Sequence, residues 1–272
     1  TAEVSSRTRV IGVPKTIDND LEGTDHCPGY GSAARYAAIT IRELGLDVRS
    51  LPIHVVIVEL MGRNAGWITA ASALARTPRL AAPHLIYLPE TPFDAGQFVS
   101  DVRRAQKSFG TGIVVAVSEG LADANGNPVS ESGIVDGFGH RVPGGVAQHL
   151  AAILMREGIK AQGMKPGLIG RTSSRMASEV DRKEALEVGR RAFLGAYAGK
   201  TGCMIGIRRS EVLPYEVDYP LVPLSEVANR ERRVPREMVD AQRANVTDLF
   251  VQYALPLIGG CVPEGLIIPY DK

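Results

Sequence analysis

The sequence predicts an α/β protein built around a parallel β-sheet, and three observations lead to that class. Short runs rich in Val and Ile alternate with longer segments of helical spacing. Gly and Pro stand between many of these segments, as they do between strands and helices. The 272 residues, 44% of them hydrophobic, suffice for one large or two modest domains. Such alternation favours parallel strands covered by helices.

Each element is predicted from local pattern. β-Branched runs predict strands, and apolar residues at helical spacing predict helices. Strands are expected at 9–13, 53–60, 85–88, 112–117 and 203–207, and helices at 65–75, 95–109, 143–157, 181–199 and 235–253. The Gly-, Asn- and Asp-rich stretch 122–141 predicts a long surface loop. The mixed, Pro-containing stretch 211–233 is interpreted as an insertion.

Overall charge and cysteine usage exclude several classes of protein. The net charge is +1, so charge alone attracts the chain neither to nucleic acid nor to a membrane. Cys27, Cys203 and Cys261 lack metal-ligand spacing and are expected to be reduced thiols, which favours a cytoplasmic location. No apolar run reaches the roughly 18 residues of a membrane span, and the first residues are not expected to form a signal peptide.

The loop at 14–20, Pro-Lys-Thr-Ile-Asp-Asn-Asp, directly follows an apolar run and is the first candidate site. Ligands bind at the carboxyl ends of strands in open α/β sheets. Lys15 can offset phosphate charge and Thr16 can donate a hydrogen bond. Asp18 or Asp20 can accept a proton or face a metal. This combination suits phosphoryl transfer; a polar turn, with Asn and Asp chosen for its geometry, is the alternative.

Arg63 and Glu119 follow two further predicted strands and should face the same crevice. Arg63 offers a planar fork for phosphate, and Glu119 can hold sugar hydroxyls. Gly62 lets the backbone approach a ligand closely. The alternatives are a surface arginine in a turn and a solvated or helix-capping glutamate.

Four segments together resemble the phosphofructokinase family. They are the loop at 14–20, Glu-Leu-Met-Gly-Arg-Asn-Ala-Gly-Trp at 59–67, Val-Ser-Glu-Gly at 117–120 and Pro-Gly-Leu-Ile-Gly-Arg at 166–171. They occur in the family's order, and matching material covers roughly the first 210 residues, far more than one chance motif supplies. The resemblance implies that family's Rossmann-like two-domain fold, expected here without its N-terminal part. Residues 1–30 and 171–272 would form the remainder of the donor-side domain plus a C-terminal extension, and 31–170 would bind fructose 6-phosphate.

The resemblance also implies a reaction: magnesium-assisted transfer of a phosphoryl group to the 1-hydroxyl of fructose 6-phosphate. Asp18 would be the base, with Lys15, Thr16 and Arg63 as further catalytic residues. The implied substrate-binding positions are Thr16, Ile17, Asp18, His54, Met61, Gly62, Arg63, Glu119, Leu168, Ile169, Gly170 and Arg171. Asp20 is a candidate Mg²⁺ ligand. Because the family's two glycine-rich donor loops are not found here, the main ligand is expected upstream of Thr1.

Two positions depart from the family pattern. Leu168 stands where many relatives carry a His or Tyr that contacts the sugar phosphate, and Leu cannot donate a hydrogen bond. His54 stands where the ATP enzymes carry an Arg that reaches into a neighbouring subunit's site. A histidine there is either a pH-dependent phosphate partner or a structural residue.

The donor implied is pyrophosphate, with ATP as the alternative. Lys15 occupies a position that is Gly in short bacterial ATP enzymes, and the stretches 24–31 and 245–260 look more like the pyrophosphate branch. Lys15 could instead only pair with a nearby carboxylate. A homo-oligomer, dimer or tetramer, is also implied.

Rival functions are a non-catalytic sugar-phosphate-binding fragment or regulatory subunit, and a lipid or dinucleotide kinase of related architecture. Other conspicuous residues have structural interpretations. Trp67 is expected in the core, and His140 and His149 in ordinary polar roles. The basic cluster, namely Arg230, Arg232, Arg233 and Arg236, is expected to be a solvated face or a subunit contact.

Overall fold

The computed structural model describes residues 8–52, 54–135, 141–143, 145–210 and 214–264, with backbone alone for 131–135 and 141–143. Its helices are α1 (Tyr30–Ser50), α2 (Trp67–Ala71), α3 (Ala95–Phe109), α4 (Val146–Arg156), α5 (Ile169–Thr172), α6 (Glu179–Tyr197), α7 (Leu224–Val227) and α8 (Asp248–Ala254). Its strands are β1 (Ile11–Gly12), β2 (Val55–Leu60), β3 (Leu85–Tyr87), β4 (Ile113–Ser118), β5 (Glu131–Val135), β6 (Arg141–Pro143), β7 (Ala161–Met164), β8 (Cys203–Ile205), β9 (Arg208–Arg209), β10 (Val217–Asp218), β11 (Leu221–Pro223), β12 (Val239–Asp240) and β13 (Asn245–Val246). None of the helices in these ranges is long and apolar enough to cross a membrane.

The main sheet is parallel and has the strand order β3-β4-β2-β7. In its register Leu60 of β2 lies beside Ser118 of β4, and Val58 lies beside Met164 of β7. The carboxyl ends of these three strands therefore meet at one edge. This edge carries the loops that follow β2, β4 and β7.

Both faces of the main sheet are buried, which is why β2 consists almost entirely of apolar residues. Val56, Val58 and Leu60 pack against α1, α2 and α8 in one core. Val55 and Ile57 point to the opposite face and pack against α3 and α4 in a second core. The parallel-sheet α/β class is thus confirmed.

A smaller sheet has the strand order β1-β8-β11, with β1 parallel and β11 antiparallel to β8. Packing of α6 against β1 and β8 covers one of its faces. The strand expected at 9–13 is only Ile11–Gly12, and Val13 is half exposed rather than buried. The stretch 211–233, interpreted as an insertion, supplies β11 and α7 to this part of the fold within its described residues.

The prediction of one helix at 235–253 is wrong. A 3₁₀ turn at Arg236–Met238 leads into β12, which pairs with β13 in an antiparallel hairpin. Ala244 adopts a left-handed conformation with φ 47°, and its carbonyl accepts the Ile86 N–H at 2.7 Å. Docking against β3 therefore overrides helical spacing here, and α8 is the part of 235–253 that is α-helical.

Several other boundaries differ from expectation. The helix expected at 143–157 begins at Val146, because Gly145 is left-handed with φ 57°. The loop expected at 122–141 contains β5 and part of the β5–β6 hairpin. The 21-residue helix α1 and the strand β7 were not predicted. Ile53 and His140 lie outside the described residues. The division into domains stays a prediction.

Candidate active site

The candidate site is built by loops at the carboxyl edge of the main sheet together with the loop at 14–20, which we call the signature loop. Met61, Gly62 and Arg63 directly follow β2, and Glu119 directly follows β4. The Glu119 N–H donates to the Leu60 carbonyl at 3.1 Å, which ties the two strand ends together. The sequence-predicted acceptor residues on these two strands are thus brought together.

Hydrogen bonds within the signature loop fix its backbone. The Thr16 hydroxyl accepts the Asp18 N–H at 3.0 Å. Asn19 is fully buried in a left-handed conformation with φ 58°. Its side chain accepts the Cys27 N–H at 2.9 Å and donates to the Tyr253 hydroxyl at 3.0 Å. The loop therefore presents Asp18 and Asp20 from a backbone held on either side.

Asp18 is the most perturbed carboxylate of the site. Burial raises the pKa of Asp18 to about 6, and the negative charges of Asp20 and Glu119 add to the rise. The nearby cations Lys15 and Arg63 oppose it. Its Oδ1 is buried without a hydrogen-bond partner. A buried polar atom of this kind calls for a ligand, a metal ion or water as its partner.

Two glycines allow the strand-end loops to touch. Gly62 has φ 125°, and a Cβ there would lie 2.5 Å from the Ala65 carbonyl oxygen. A Cβ on Gly120 would lie 1.6 Å from the Arg63 carbonyl oxygen. The Ser118 hydroxyl also donates to the Gly62 carbonyl. Glycine at 62 thus serves the internal packing of the site, in addition to the expected access for ligand.

Lys165, which follows β7, joins two glutamates. Its Nζ lies 2.5 Å from Oε1 of the fully buried Glu59 and 3.4 Å from Oε2 of Glu119. Glu59 also accepts the Ala147 N–H at the start of α4 at 3.0 Å. The Glu119 Oε1 accepts the Gly62 N–H at 3.4 Å. One ammonium group therefore orients Glu119 and neutralises the buried Glu59.

An open pocket of about 450 Å³ lies between the signature loop and the segment that begins with α5. Its cations are Lys15 and Arg171, and its hydroxyl-bearing lining residues are Ser32, Thr172, Ser173 and Ser174. A smaller cavity beside it is lined in part by Ile17, Tyr36, Met61 and Gly170. The larger pocket thus combines two positive charges with several hydroxyls, a chemistry suited to phosphate.

Some predicted site residues do not converge on this edge. His54 precedes β2, six residues and roughly 20 Å from the carboxyl edge. Its Nδ1 is buried without a partner. Leu168 and Ile169 are 62% and 61% exposed, and neither residue lines the 450 Å³ pocket.

Three residues near the site were missed from the sequence, namely Glu59, Lys165 and Tyr253. A charged residue inside the otherwise apolar β2 was an available indication for Glu59. Trp67 is fully buried, as expected. The solvated role expected for Arg232 is wrong, because its guanidinium lies 4.1 Å from the centre of the Trp67 ring.

Carboxylates at 18 and 20 are the hard oxygen ligands that Mg²⁺ prefers. Asp18, with its unpartnered Oδ1, fits a role beside such an ion. Within the described ranges, no group of three or more His, Cys, Asp or Glu side chains is arranged to hold a metal. Magnesium commonly uses one or two carboxylates together with substrate phosphates, which is what this donor set could supply.

Comparison with known proteins identifies relatives that transfer phosphoryl groups. The family model described as phosphofructokinase matches residues 2–195. A pyrophosphate–fructose 6-phosphate 1-phosphotransferase of Xanthomonas campestris pv. campestris is 41% identical over 258 residues, 93% of this chain and 62% of that protein. An ATP-dependent 6-phosphofructokinase 2 of Streptomyces coelicolor is 34% identical over 232 residues, 85% of this chain and 64% of that protein.

A crystal structure of a pyrophosphate-dependent phosphofructokinase from Nitrosospira multiformis superposes with a TM-score of 0.84 at 33% identity. The alignment covers 99% of this chain and 64% of that chain. The chain thus spans less than two thirds of the length of the relatives it matches.

Proposed function

Because the chain belongs to the phosphofructokinase family, we propose that its carboxyl-edge site serves the transfer of a phosphoryl group from pyrophosphate to the 1-hydroxyl of fructose 6-phosphate. The observation that carries this proposal is the Asp18 carboxylate. Its Oδ1 is buried and unpartnered, and its pKa is raised to about 6. A base for the attacking hydroxyl needs these two properties, a free oxygen and a pKa near working pH.

In the proposed step Asp18 takes the proton as the 1-hydroxyl oxygen attacks phosphorus. At neutral pH a carboxyl group with a pKa of about 6 is mainly ionised, yet it is a stronger base than an ordinary aspartate. Lys15 and Arg63 lie near enough to lower that pKa. In our proposal the same two cations offset the charge of the transferring phosphoryl group.

The acceptor would be held by the residues around Asp18. We assign Glu119 to the sugar hydroxyls, because Lys165 and the Gly62 N–H fix its direction. Arg171 and the hydroxyls beside it in the 450 Å³ pocket are assigned to the 6-phosphate. Met61, Ile17 and Gly170 would form the apolar wall beside that pocket. Leu168 and Ile169 would contribute backbone groups only.

We assign Mg²⁺ to the reaction, where it would neutralise phosphate charge when bound. Asp20 would face it, which leaves the Asp18 carboxylate free to accept the proton. We also propose a cytoplasmic homo-oligomer, a dimer or tetramer. Because His54 lies far from the carboxyl edge of the main sheet in its own chain, we assign it to a contact with a neighbouring copy.

Pyrophosphate is preferred over ATP for a physical reason. The Lys15 side chain is exposed at the rim of the pocket and places a point charge there. A small, highly charged donor gains more from such a charge than a bulky nucleotide does. The pyrophosphate-dependent relative is also more similar to this chain than the ATP-dependent one, at 41% against 34% identity.

The test is phosphoryl transfer by the natural full-length protein with each donor. We expect turnover with pyrophosphate, fructose 6-phosphate and Mg²⁺, and a lower kcat with pyrophosphate for Lys15→Gly. Turnover with ATP but not with pyrophosphate would reject pyrophosphate as the donor. Sugar-phosphate binding by calorimetry without turnover on either donor would instead identify a non-catalytic sugar-phosphate-binding protein. If Lys15→Gly keeps its kcat with pyrophosphate, Lys15 has no part in donor choice.

A further inference from the structure

We propose that Tyr253 is a positioning residue for the phosphoryl transfer. Through its hydroxyl it holds Asn19, and so fixes Asp18 and Asp20 on either side of Asn19. This inference rests on the proposed function. Tyr253 acts within a cluster that we call the loop clamp, formed by Asn19, Trp67, Arg232 and Tyr253.

The first observation is that every polar group of the Asn19 side chain is committed. Its Oδ1 accepts the Cys27 N–H at 2.9 Å, and its Nδ2 donates to the Tyr253 hydroxyl at 3.0 Å. The backbone at Asn19 is left-handed, with φ 58°. Asparagine enters that conformation more readily than other non-glycine residues, and hydrogen bonds to its side chain hold it there. The direction in which the chain leaves Asp18 thus depends on what holds this amide.

The second observation is that Tyr253 is itself anchored. Its hydroxyl donates to the Asp25 carbonyl at 2.7 Å, and its ring lies 5.2 Å from the Trp67 ring, centre to centre. Burial raises the pKa of Tyr253 to about 12, so the phenol remains a hydrogen-bond donor at neutral pH. Tyr253 is 8% exposed, and it does not line the pocket between the signature loop and α5. Tyr253 is thus placed to act through Asn19 and not on substrate.

The third observation is that the same cluster reaches the other half of the site. The Arg232 N–H donates to the Asp20 carbonyl at 2.8 Å. The Trp67 Nε1 donates to the Arg232 carbonyl at 3.1 Å. Trp67 begins α2 directly after the loop that carries Arg63. The loop clamp therefore holds the signature loop against the loop between β2 and α2, which carries Arg63. A displacement there would change the geometry of attack.

The test is steady-state kinetics of Tyr253→Phe in the natural full-length protein. This substitution keeps the ring and removes the hydroxyl. We expect kcat to fall at least about tenfold, the scale of a small misplacement of reacting groups, with KM for fructose 6-phosphate within about twofold. Tyr197→Phe, at an 81% exposed tyrosine, is the matched control and should change neither.

A second variant separates positioning from folding. Asn19→Gly keeps the left-handed backbone accessible and removes the amide. If Tyr253 acts through Asn19, the protein that carries both Tyr253→Phe and Asn19→Gly should have the same kcat as Asn19→Gly alone, within about twofold. If the fold-loss in kcat of the double variant instead equals the product of the losses in Tyr253→Phe and Asn19→Gly, the proposal is overturned. A Tyr253→Phe protein that melts earlier but keeps its kcat would also overturn it. Absence of wild-type turnover with any donor would reject the proposed function itself, and this inference with it.

Discussion

Asp18 shows what a sequence can and cannot predict about a single residue. From residue type and position after a strand, Asp18 or Asp20 could accept a proton or face a metal, and the family resemblance implied that Asp18 is the base. Its raised pKa depends on burial and on Glu119, a residue 101 positions away that only folding brings near. Lys165 was missed for the same reason, since its significance is its contact with Glu59 of a separate strand. The motif thus proposed the group, while the raised pKa of its carboxyl comes from burial and tertiary neighbours.

We expect kcat/KM for fructose 6-phosphate to fall as pH decreases through about 6, because a base must be deprotonated and the pKa of Asp18 is raised to about 6. Asp20→Asn removes a like charge and should move this acid limb to lower pH. Asp18→Asn should lower kcat by at least about 10²-fold, while Asp47→Asn, on the exposed face of α1, should not. An acid limb that remains unchanged in Asp20→Asn would contradict the electrostatic account. These points require a pH–rate profile for each variant.

At the scale of elements, the convergence of β2, β4 and β7 on one edge follows from parallel topology. The rule that ligands bind at strand carboxyl ends therefore placed Arg63 and Glu119 correctly at one edge. It could not reveal β7, whose residues Ala-Gln-Gly-Met lack β-branched side chains. Sequence pattern also did not predict the hairpin within 235–253, because that hairpin depends on docking against β3.

The ion pair between β2 and the end of β7 gives a prediction about these elements. Lys165→Met leaves the buried Glu59 carboxylate with the Ala147 N–H as its remaining partner. Since Lys165 is partly exposed, we expect a loss of about 2 kcal/mol in the free energy of unfolding. Adding Glu59→Gln should recover part of it, because the neutral amide no longer needs a counter-ion. Lys160→Met, at an exposed lysine, is the control in urea unfolding. Equal losses for the single and double variants would contradict this account.

At the scale of the whole molecule, a buried polar network connects segments that are far apart in sequence. His26 is 1% exposed and lies 2.6 Å from carboxylate oxygens of both Asp25 and Glu184. Tyr215 donates to Glu184 at 2.7 Å, and Arg209 donates to Asp25 at 3.0 Å. Local periodicity contains no information on such pairings. The sequence therefore predicted the class of the fold but not the packing of its tail.

This network predicts a pH dependence of stability. Burial alone would lower the pKa of His26, but the hydrogen bonds with Asp25 and Glu184 outweigh it and the net shift is upward. A histidine with a raised pKa stabilises the fold fully below its unfolded pKa, about 6.5, and loses that contribution as pH rises through the folded pKa. For Asp25, burial raises the pKa, yet the His26 hydrogen bond and Arg209 lower it overall. Its contribution is therefore lost as pH falls below about 4.

We accordingly expect the free energy of unfolding to decline above about pH 6.5. His26→Gln should cost about 3 kcal/mol at pH 6 and should flatten that decline. His149→Gln, at an exposed histidine, should leave the profile unchanged. Denaturant unfolding at a series of pH values measures both effects, and parallel profiles for wild type and His26→Gln would show that the network does not titrate as described.

The bond between Asn19 and Tyr253 has a consequence for biosynthesis. The two residues are 234 positions apart, so at about 5–20 residues per second the ribosome needs roughly 10–50 s to make the second after the first. During that interval the strands of the main sheet can form, but the signature loop lacks the hydroxyl that holds it. A nascent or prematurely terminated polypeptide would thus carry every motif of the site and still lack its final geometry. Competence for chemistry would arise only after Tyr253 has been translated.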